Sequence, residues 1–265
     1  MFKILFFFIL LLSSNAFALN FDGKFIQGHF IIGKTYPKTK VWIDKRQVKV
    51  TKDGYFVFGL DRDRKYDVVI TLNKDGNREK VVKKVQKRKY EIQKIDGLPE
   101  KKVTPPKEIY ERIKRENKLI ANARAVESNL TFFKNKFMVP VENYIISGVY
   151  GSQRILNGKP KWPHYGLDFA AEEGTKIKAM LDGTVTLAEP DLFYTGGTLI
   201  FDHGHGISTL YMHMKKLFVK KGQKVKQGDV IGTVGSTGRA TGAHLDVRLN
   251  WFGTRLDPMT ALNIK

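Results

Sequence analysis

Residues 19–98 alternate apolar and charged positions in short runs. KFIQGHFIIG, KVWIDKRQVKV, YFVFGL, YDVVITL and EKVVKKVQKRKYEIQKI are rich in Val, Ile, Phe and Tyr, the composition of half-buried strands. Tyr36-Pro37, Lys52-Asp53-Gly54 and Lys74-Asp75-Gly76-Asn77 punctuate them. Asp-Gly pairs favour tight hairpins because glycine accepts positive φ. The pattern predicts a small β-sandwich over 19–98. Three prolines in GLPEKKVTPPKE break it and mark a linker at 97–106. Beyond the linker, Ile109, Ile113, Leu119, Ile120 and Ala123 recur at near-helical spacing, predicting one helix from about 107 to 127. Residues 99–130 thus form a basic linker and helix. From 131 to 265 glycines recur every few residues between short strands such as KIKAMLDGTVTLAE, GTLIFDH, ISTLYMHM and DVIGTVGSTG. That texture predicts an antiparallel, all-β domain with no helix longer than about two turns, and a mainly β chain.

The start of the chain changes the count of folded residues. MFKILFFFILLLSSNAFA has a lysine at position 3, an apolar run from Ile4 to Leu12 and Ala16-Phe17-Ala18 at its end. This is the pattern of a secretory signal peptide over 1–18, with cleavage between Ala18 and Leu19. The apolar run is well short of the roughly 20 residues that span a bilayer, so no stable membrane span is expected after cleavage. With no cysteine, no disulfide holds the exported fold.

Charge adds a class of partner. The formal net charge is +20, from 46 basic against 26 acidic residues, and basic chains bind polyanions. Export argues against nucleic acid, and no helix-turn-helix pattern, zinc-finger spacing or aromatic RNA-binding signature is found. An anionic envelope polymer remains. The stretch 80–118 is the most basic of the chain; a solvated helix face is the plainer reading and an electrostatic tether the alternative.

Five of the six histidines lie between positions 164 and 244. His164 and Asp168 stand four apart in PHYGLDFA, with Gly166 between them; a glycine kink there lets both side chains converge. His213 stands in LYMHM. His244 and Asp246 are two apart in the strand-like TGAHLDVRLN, so both point to one face, where Arg248 follows them. Imidazole and carboxylate suit a borderline metal such as zinc. His164 and Asp168 with a third ligand, His244 or Asp246, would leave one position open for water, which the metal acidifies while a nearby histidine moves the proton. His203 and His205 in DHGHG are read, with Asp202, as shaping a turn, His29 as a packed or surface residue, and Trp162 as a cleft wall or a packing residue.

HYGLDFAAEEGTKIKAMLDGTV, DHGHGISTLYMHM, VKKGQKVKQGDVIGTVGSTGRATGAHL and RLDP, collinear from about 148 to 260, resemble the lysostaphin/LytM-type zinc metallopeptidases. The combination H-x-x-x-D, Y-x-H and T-G-x-H-L in that order is specific. The resemblance implies a domain with an open cleft, one Zn2+ per chain, peptidoglycan as substrate, and hydrolysis of its peptide cross-links by metal-activated water. By that resemblance His164 and Asp168 are the first two zinc ligands. His213 and His244 are the catalytic histidines, and Tyr194 in YTGG helps stabilise the tetrahedral intermediate. The third ligand position, a histidine in the common H-x-H pattern, holds Asp246. A second carboxylate in the ligand set acidifies the water less, and Arg248 is placed to hydrogen-bond Asp246. The expected location is the periplasm or outside the cell, with a possible envelope protein partner through the N-terminal domain. The competing reading is a catalytically weak or inactive relative that binds and activates another cell-wall hydrolase.

Overall fold

The computed structural model describes residues 18–97 and 100–262. The expected leader, apart from Ala18, lies outside the described residues. Among these, no helix is long and apolar enough to cross a membrane.

The chain opens with β1 (Asn20–Asp22), β2 (Phe30–Lys34), β3 (Lys40–Ile43), β4 (Arg46–Val48), β5 (Tyr55–Gly59), β6 (Val68–Lys74), β7 (Asn77–Lys83) and β8 (Ile92–Ile95). Strands β1-β2-β5 form one antiparallel sheet and β4-β3-β6-β7 another. Asp75 and Gly76 take positive φ in the β6–β7 turn, the geometry a two-residue hairpin needs. The core beneath these sheets is not separate. Phe56, Phe58, Ile31 and Ile70 belong to one buried cluster with Leu167, Phe169, Val247 and Leu256 of the C-terminal half. Strand β8 departs from the sequence expectation. It pairs in parallel with β10 (Gln153–Leu156) of the C-terminal half.

The linker holds a short helix, α1 (Glu100–Val103), with Val103 buried. A 3-10 turn over Lys107–Ile109 leads into α2 (Tyr110–Arg124), three residues shorter than the expected end. Past it, the Lys49 ammonium donates to the carbonyls of Glu127 and Ser128. The buried stripe of α2 runs through Glu116, Ile120 and Ala123, while Leu119 is exposed.

The C-terminal half comprises β9 (Ile145–Gly148), β10, β11 (Lys159–Pro160), β12 (Leu167–Ala170), β13 (Lys176–Lys178), β14 (Gly183–Leu192), β15 (Gly196–Gly204), β16 (Ile207–Met214), β17 (Lys216–Leu217), β18 (Lys224–Val225), β19 (Val230–Thr233), β20 (His244–Trp251), β21 (Thr254–Leu256) and the short α3 (Met259–Leu262). Its main sheet is antiparallel, in the order β18-β14-β15-β16-β20-β12-β9, with β21 beside β20. Side chains alternate across it. Leu167, Phe169, Phe201, Tyr211, Leu245, Val247 and Leu249 face the large core. Leu187, Leu192, Ile200, Leu210 and Met212 face the other way, under Ile120 and Ala123 of α2. This second face is wide: α2 covers its β14–β15–β16 part and leaves β20 and β12 uncovered by the helix. Strands β15 and β16 are buried at every position as a result.

Candidate metal centre

Asp168 on β12 and Asp246 on β20 are directly opposed across antiparallel strands, as are Ala170 and His244. Both acids lie on the face opposite the core, because Leu167, Phe169, Leu245 and Val247 are committed to the core. His164 precedes β12 in an irregular segment pinned by two backbone bonds, His164 N–H to Ser152 O (2.8 Å) and Gly151 N–H to His164 O (2.7 Å). Its Nδ1 meets the Val149 carbonyl at 3.3 Å. The other ring nitrogen, Nε2, is then 3.1 Å from Asp168 Oδ1 and 3.3 Å from Asp246 Oδ2. Ligand atoms of His164, Asp168 and Asp246 all lie within 4.8 Å of one another, and all three residues are buried.

Two glycines make room for the acids. A Cβ on Gly166 would stand 2.9 Å from Asp246 Cγ and closer still to Oδ1. A Cβ on Gly148 would stand 3.0 Å from Asp168 Cγ. Gly166 is not among the positive-φ residues, so the expected kink is replaced by another reason for glycine: the carboxylate of Asp246 occupies the space of its missing side chain.

Each acid is also held by an arginine. Arg248 Nη2 is 3.0 Å from Asp246 Oδ2 and its Nε 3.4 Å from Oδ1. Arg154, which the sequence reading passed over, reaches Asp168 Oδ2 at 3.2 Å. Burial pushes the Asp246 carboxyl up, but the charges of Arg248 and His164 prevail and hold it well below the usual carboxylate range. Burial likewise opposes the charged form of His164, and the two carboxylates override it, raising its pKa. Asp168 Oδ1 is buried, with His164 Nε2 at 3.1 Å but no hydrogen bond of good geometry. A buried carboxylate oxygen facing an imidazole nitrogen and a second carboxylate is a donor set that a cation would satisfy. The residues present fit zinc: one nitrogen and two oxygen donors of permitted type.

His213 and His244 stand beside this cluster with ring centroids 4.7 Å apart. His244 Nε2 is 4.0 Å from Asp168 Oδ1. Both rings are fixed by one loop. Thr237 O accepts from His213 Nδ1 (2.8 Å) and Gly242 O from His244 Nδ1 (2.9 Å). Those bonds fix Nδ1–H on each ring and turn Nε2 away from the loop. Burial pushes His213 down to about 4, so it is neutral at neutral pH. Its backbone takes φ 64°, a conformation a non-glycine residue holds only where its surroundings impose it; here His213 N–H is tied to Thr195 O at 2.8 Å.

Tyr194 sits half-buried in the β14–β15 turn. Its ring lies under the Arg239 guanidinium, 4.5 Å from its centroid, and its carbonyl accepts Arg239 N–H at 2.9 Å. The structure links Tyr194 to His213 through the neighbouring Thr195 carbonyl. The turn is in turn latched to α2: Glu116 accepts Phe193 N–H at 2.8 Å and Arg112 Nε at 2.6 Å, while Arg112 reaches Asp191 O at 2.8 Å. Trp162 is exposed. His203 differs from its expected role. It is a core residue of β15, with Nδ1 at Asp182 O (2.7 Å) and Nε2 at Thr209 Oγ1 (2.8 Å). His205 does occupy the turn, with φ 52°, and its ring lies 4.8 Å from that of Phe133.

A mainly β fold with a His/Asp/Asp cluster and paired histidines on one sheet face is the frame of a metallopeptidase. Residues 162–258 match the sequence model of Peptidase family M23, so the chain carries an M23 peptidase domain over that stretch. It is 41% identical over 99 residues to a protein named peptidoglycan DD-endopeptidase ShyA from Vibrio cholerae, covering 37% of this chain and 23% of that protein. It is 38% identical over 97 residues to the DD-carboxypeptidase/endopeptidase Mpg of Neisseria meningitidis, covering 37% and 22%. The matched stretch therefore spans less than a quarter of either relative. A crystal structure from Pseudomonas aeruginosa assigned to peptidase M23 superposes with a TM-score of 0.71 at 26% identity, covering 90% of this chain and 95% of that one.

Proposed function

We propose that the protein is an exported zinc-dependent endopeptidase that hydrolyses peptide cross-links of peptidoglycan. The observation that carries the reading is the convergence of His164 Nε2, Asp168 and Asp246, all buried and with ligand atoms within 4.8 Å of one another, beside His213 and His244, whose Nδ1 atoms are held by loop carbonyls. The names of the relatives, DD-endopeptidase among them, support the substrate.

His164, Asp168 and Asp246 would hold the ion. Bound there, zinc supplies a Lewis acid for the scissile carbonyl and acidifies water. The chain's own groups do the rest. Arg154 and Arg248 keep both acids aimed, and Arg248 favours the ionised form of Asp246. With each carboxylate already paired, the ligand set stays more positive than two bare acids would leave it, which offsets the charge added by Asp246. His213, neutral and fixed by Thr237, accepts a proton at Nε2 from the attacking water and, once protonated, steadies the developing oxyanion. His244, fixed by Gly242, shares that work across the 4.7 Å ring contact. Tyr194 lends its hydroxyl to the same oxyanion.

The test is elemental analysis of the purified protein together with digestion of purified sacculi by wild type and by His244→Ala. The reading expects one zinc per chain, soluble cross-link fragments from wild type, and none from the variant despite retained metal. Zinc-loaded wild type that releases no fragments would refute it and favour a binding role.

A further inference from the structure

The loop that fixes His213 and His244 also presents a guanidinium with no acid to meet. Arg239 lies two residues from Thr237 and three from Gly242, the two carbonyls on which those rings rest. Its side chain is half-buried and stacked on Tyr194. Among the described residues it makes no side-chain hydrogen bond and no ion pair, whereas Arg154 and Arg248 each hold a carboxylate. Arginine offers five N–H donors in a planar fork suited to a carboxylate. Stacking uses the face of the fork and leaves its edge free.

Charge points the same way. Burial pushes the Arg239 pKa down, and Arg154 and Arg248 lie close enough to push it further. Arg154 and Arg248 are each matched by a carboxylate, and Arg239 near them is a positive charge without such a match. A divalent ion would add to that excess. Substrate is the missing source of negative charge, and the anionic group of a peptide is a carboxylate.

We propose that Arg239 is a specificity residue that binds a free carboxylate on the peptide substrate beside the scissile bond, held in place by Tyr194. The inference rests on the peptidoglycan reading above. Two sources share this chemistry: the free carboxyl of a diamino acid at the cross-link, and the terminal carboxyl of the stem peptide.

The experiment uses the zinc-loaded full chain and purified cross-linked stem-peptide dimers. One dimer keeps both carboxyls free, one is amidated at the diamino acid, and one is amidated at the terminal residue. Wild type, Arg239→Gln and Arg239→Lys are compared by kcat/KM, and binding of the matching product peptides is followed by calorimetry. One amidation should lower the wild-type kcat/KM by at least about tenfold, the scale of a charge-assisted hydrogen bond, and which one it is names the source. Arg239→Gln should lose that discrimination mainly through KM while retaining zinc and its cleavage of the amidated dimer; Arg239→Lys should restore part of it. Equal cleavage of all three dimers by wild type, or an unchanged amidation penalty in Arg239→Gln, overturns the proposal. Wild type that cleaves none of the dimers defeats the peptidase reading instead, and calorimetry then still decides this one: product acid and amide binding equally well would overturn it.

Discussion

Replacing Gly166 by alanine tests the metal centre without touching a ligand. The residue is not in a left-handed conformation, so the substitution carries no backbone penalty of that kind and acts through space alone. The new Cβ would stand 2.9 Å from Asp246 Cγ and 2.9 Å from Val247 O. Carbon atoms rest at about 3.5–4.0 Å, so the Asp246 carboxyl must retreat by at least about 0.6 Å. Metal–ligand distances tolerate about 0.2 Å. Val247 cannot yield in compensation, because its side chain is fully buried in the core on the opposite face. The expected result is a protein destabilised by about 1–3 kcal/mol, the usual range for overpacking, with zinc affinity lowered by at least about tenfold. Competition with a chromogenic chelator reads the affinity, and thermal unfolding with and without chelator separates it from folding. Gly253→Ala serves as the control, since a Cβ there meets nothing within 4 Å. Wild-type zinc affinity in Gly166→Ala would show that Asp246 is not a ligand, and the site as described would fail.

Three further outcomes follow from the same contacts. Arg248→Ala removes the 3.0 Å partner of Asp246 and should weaken zinc binding by roughly 10- to 100-fold; unchanged affinity and turnover would take Arg248 out of the site. Glu116→Ala leaves Phe193 N–H and Arg112 without their shared acceptor, which should cost about 1–3 kcal/mol and lower turnover more than zinc affinity, as measured by denaturant unfolding and peptide hydrolysis. His203, pushed down by burial to about 4 from 6.5, is neutral when folded. It binds a proton more readily unfolded, so its contribution is complete above about pH 6.5 and is lost as pH falls toward 4, up to roughly 3 kcal/mol. His203→Gln should therefore flatten the acid side of a stability-against-pH curve between those values, and an unchanged slope there would refute the burial argument.

What was legible in the sequence is what a period of two makes legible. His244, Asp246 and Arg248 were expected on one strand face, and β20 puts them there because Leu245, Val247 and Leu249 are drawn into the core on the other. The same alternation sets Asp168 against Leu167 and Phe169. Contacts made across the fold left no such mark. Arg154 meets Asp168 from β10, and nothing in the spacing of QRIL announces it. The parallel pairing of β8 with β10 joins segments about 60 residues apart, and a charged strand with two isoleucines reads the same whichever sheet accepts it. Gly166 suggests a kink from sequence because glycine more often signals backbone freedom than a neighbour's need for space. The end of α2 at Arg124 carries no glycine or proline stop in Ala125-Val126-Glu127.

These successes and misses share one physical root. The alternating strands that were readable also protect the site. A slip of one residue in the pairing of β12 with β20 would turn Asp168 or Asp246 into an apolar core and bring Leu or Val out to the cleft. Burying an unpaired carboxylate costs several kcal/mol, so the apolar residues flanking each acid hold the register on which the cluster depends. The arginines, glycines and loop carbonyls act after that register is set, trimming distances by fractions of an ångström. The core therefore decides that a site can exist on this face, and the long-range contacts decide whether its three donor groups come close enough to share one ion.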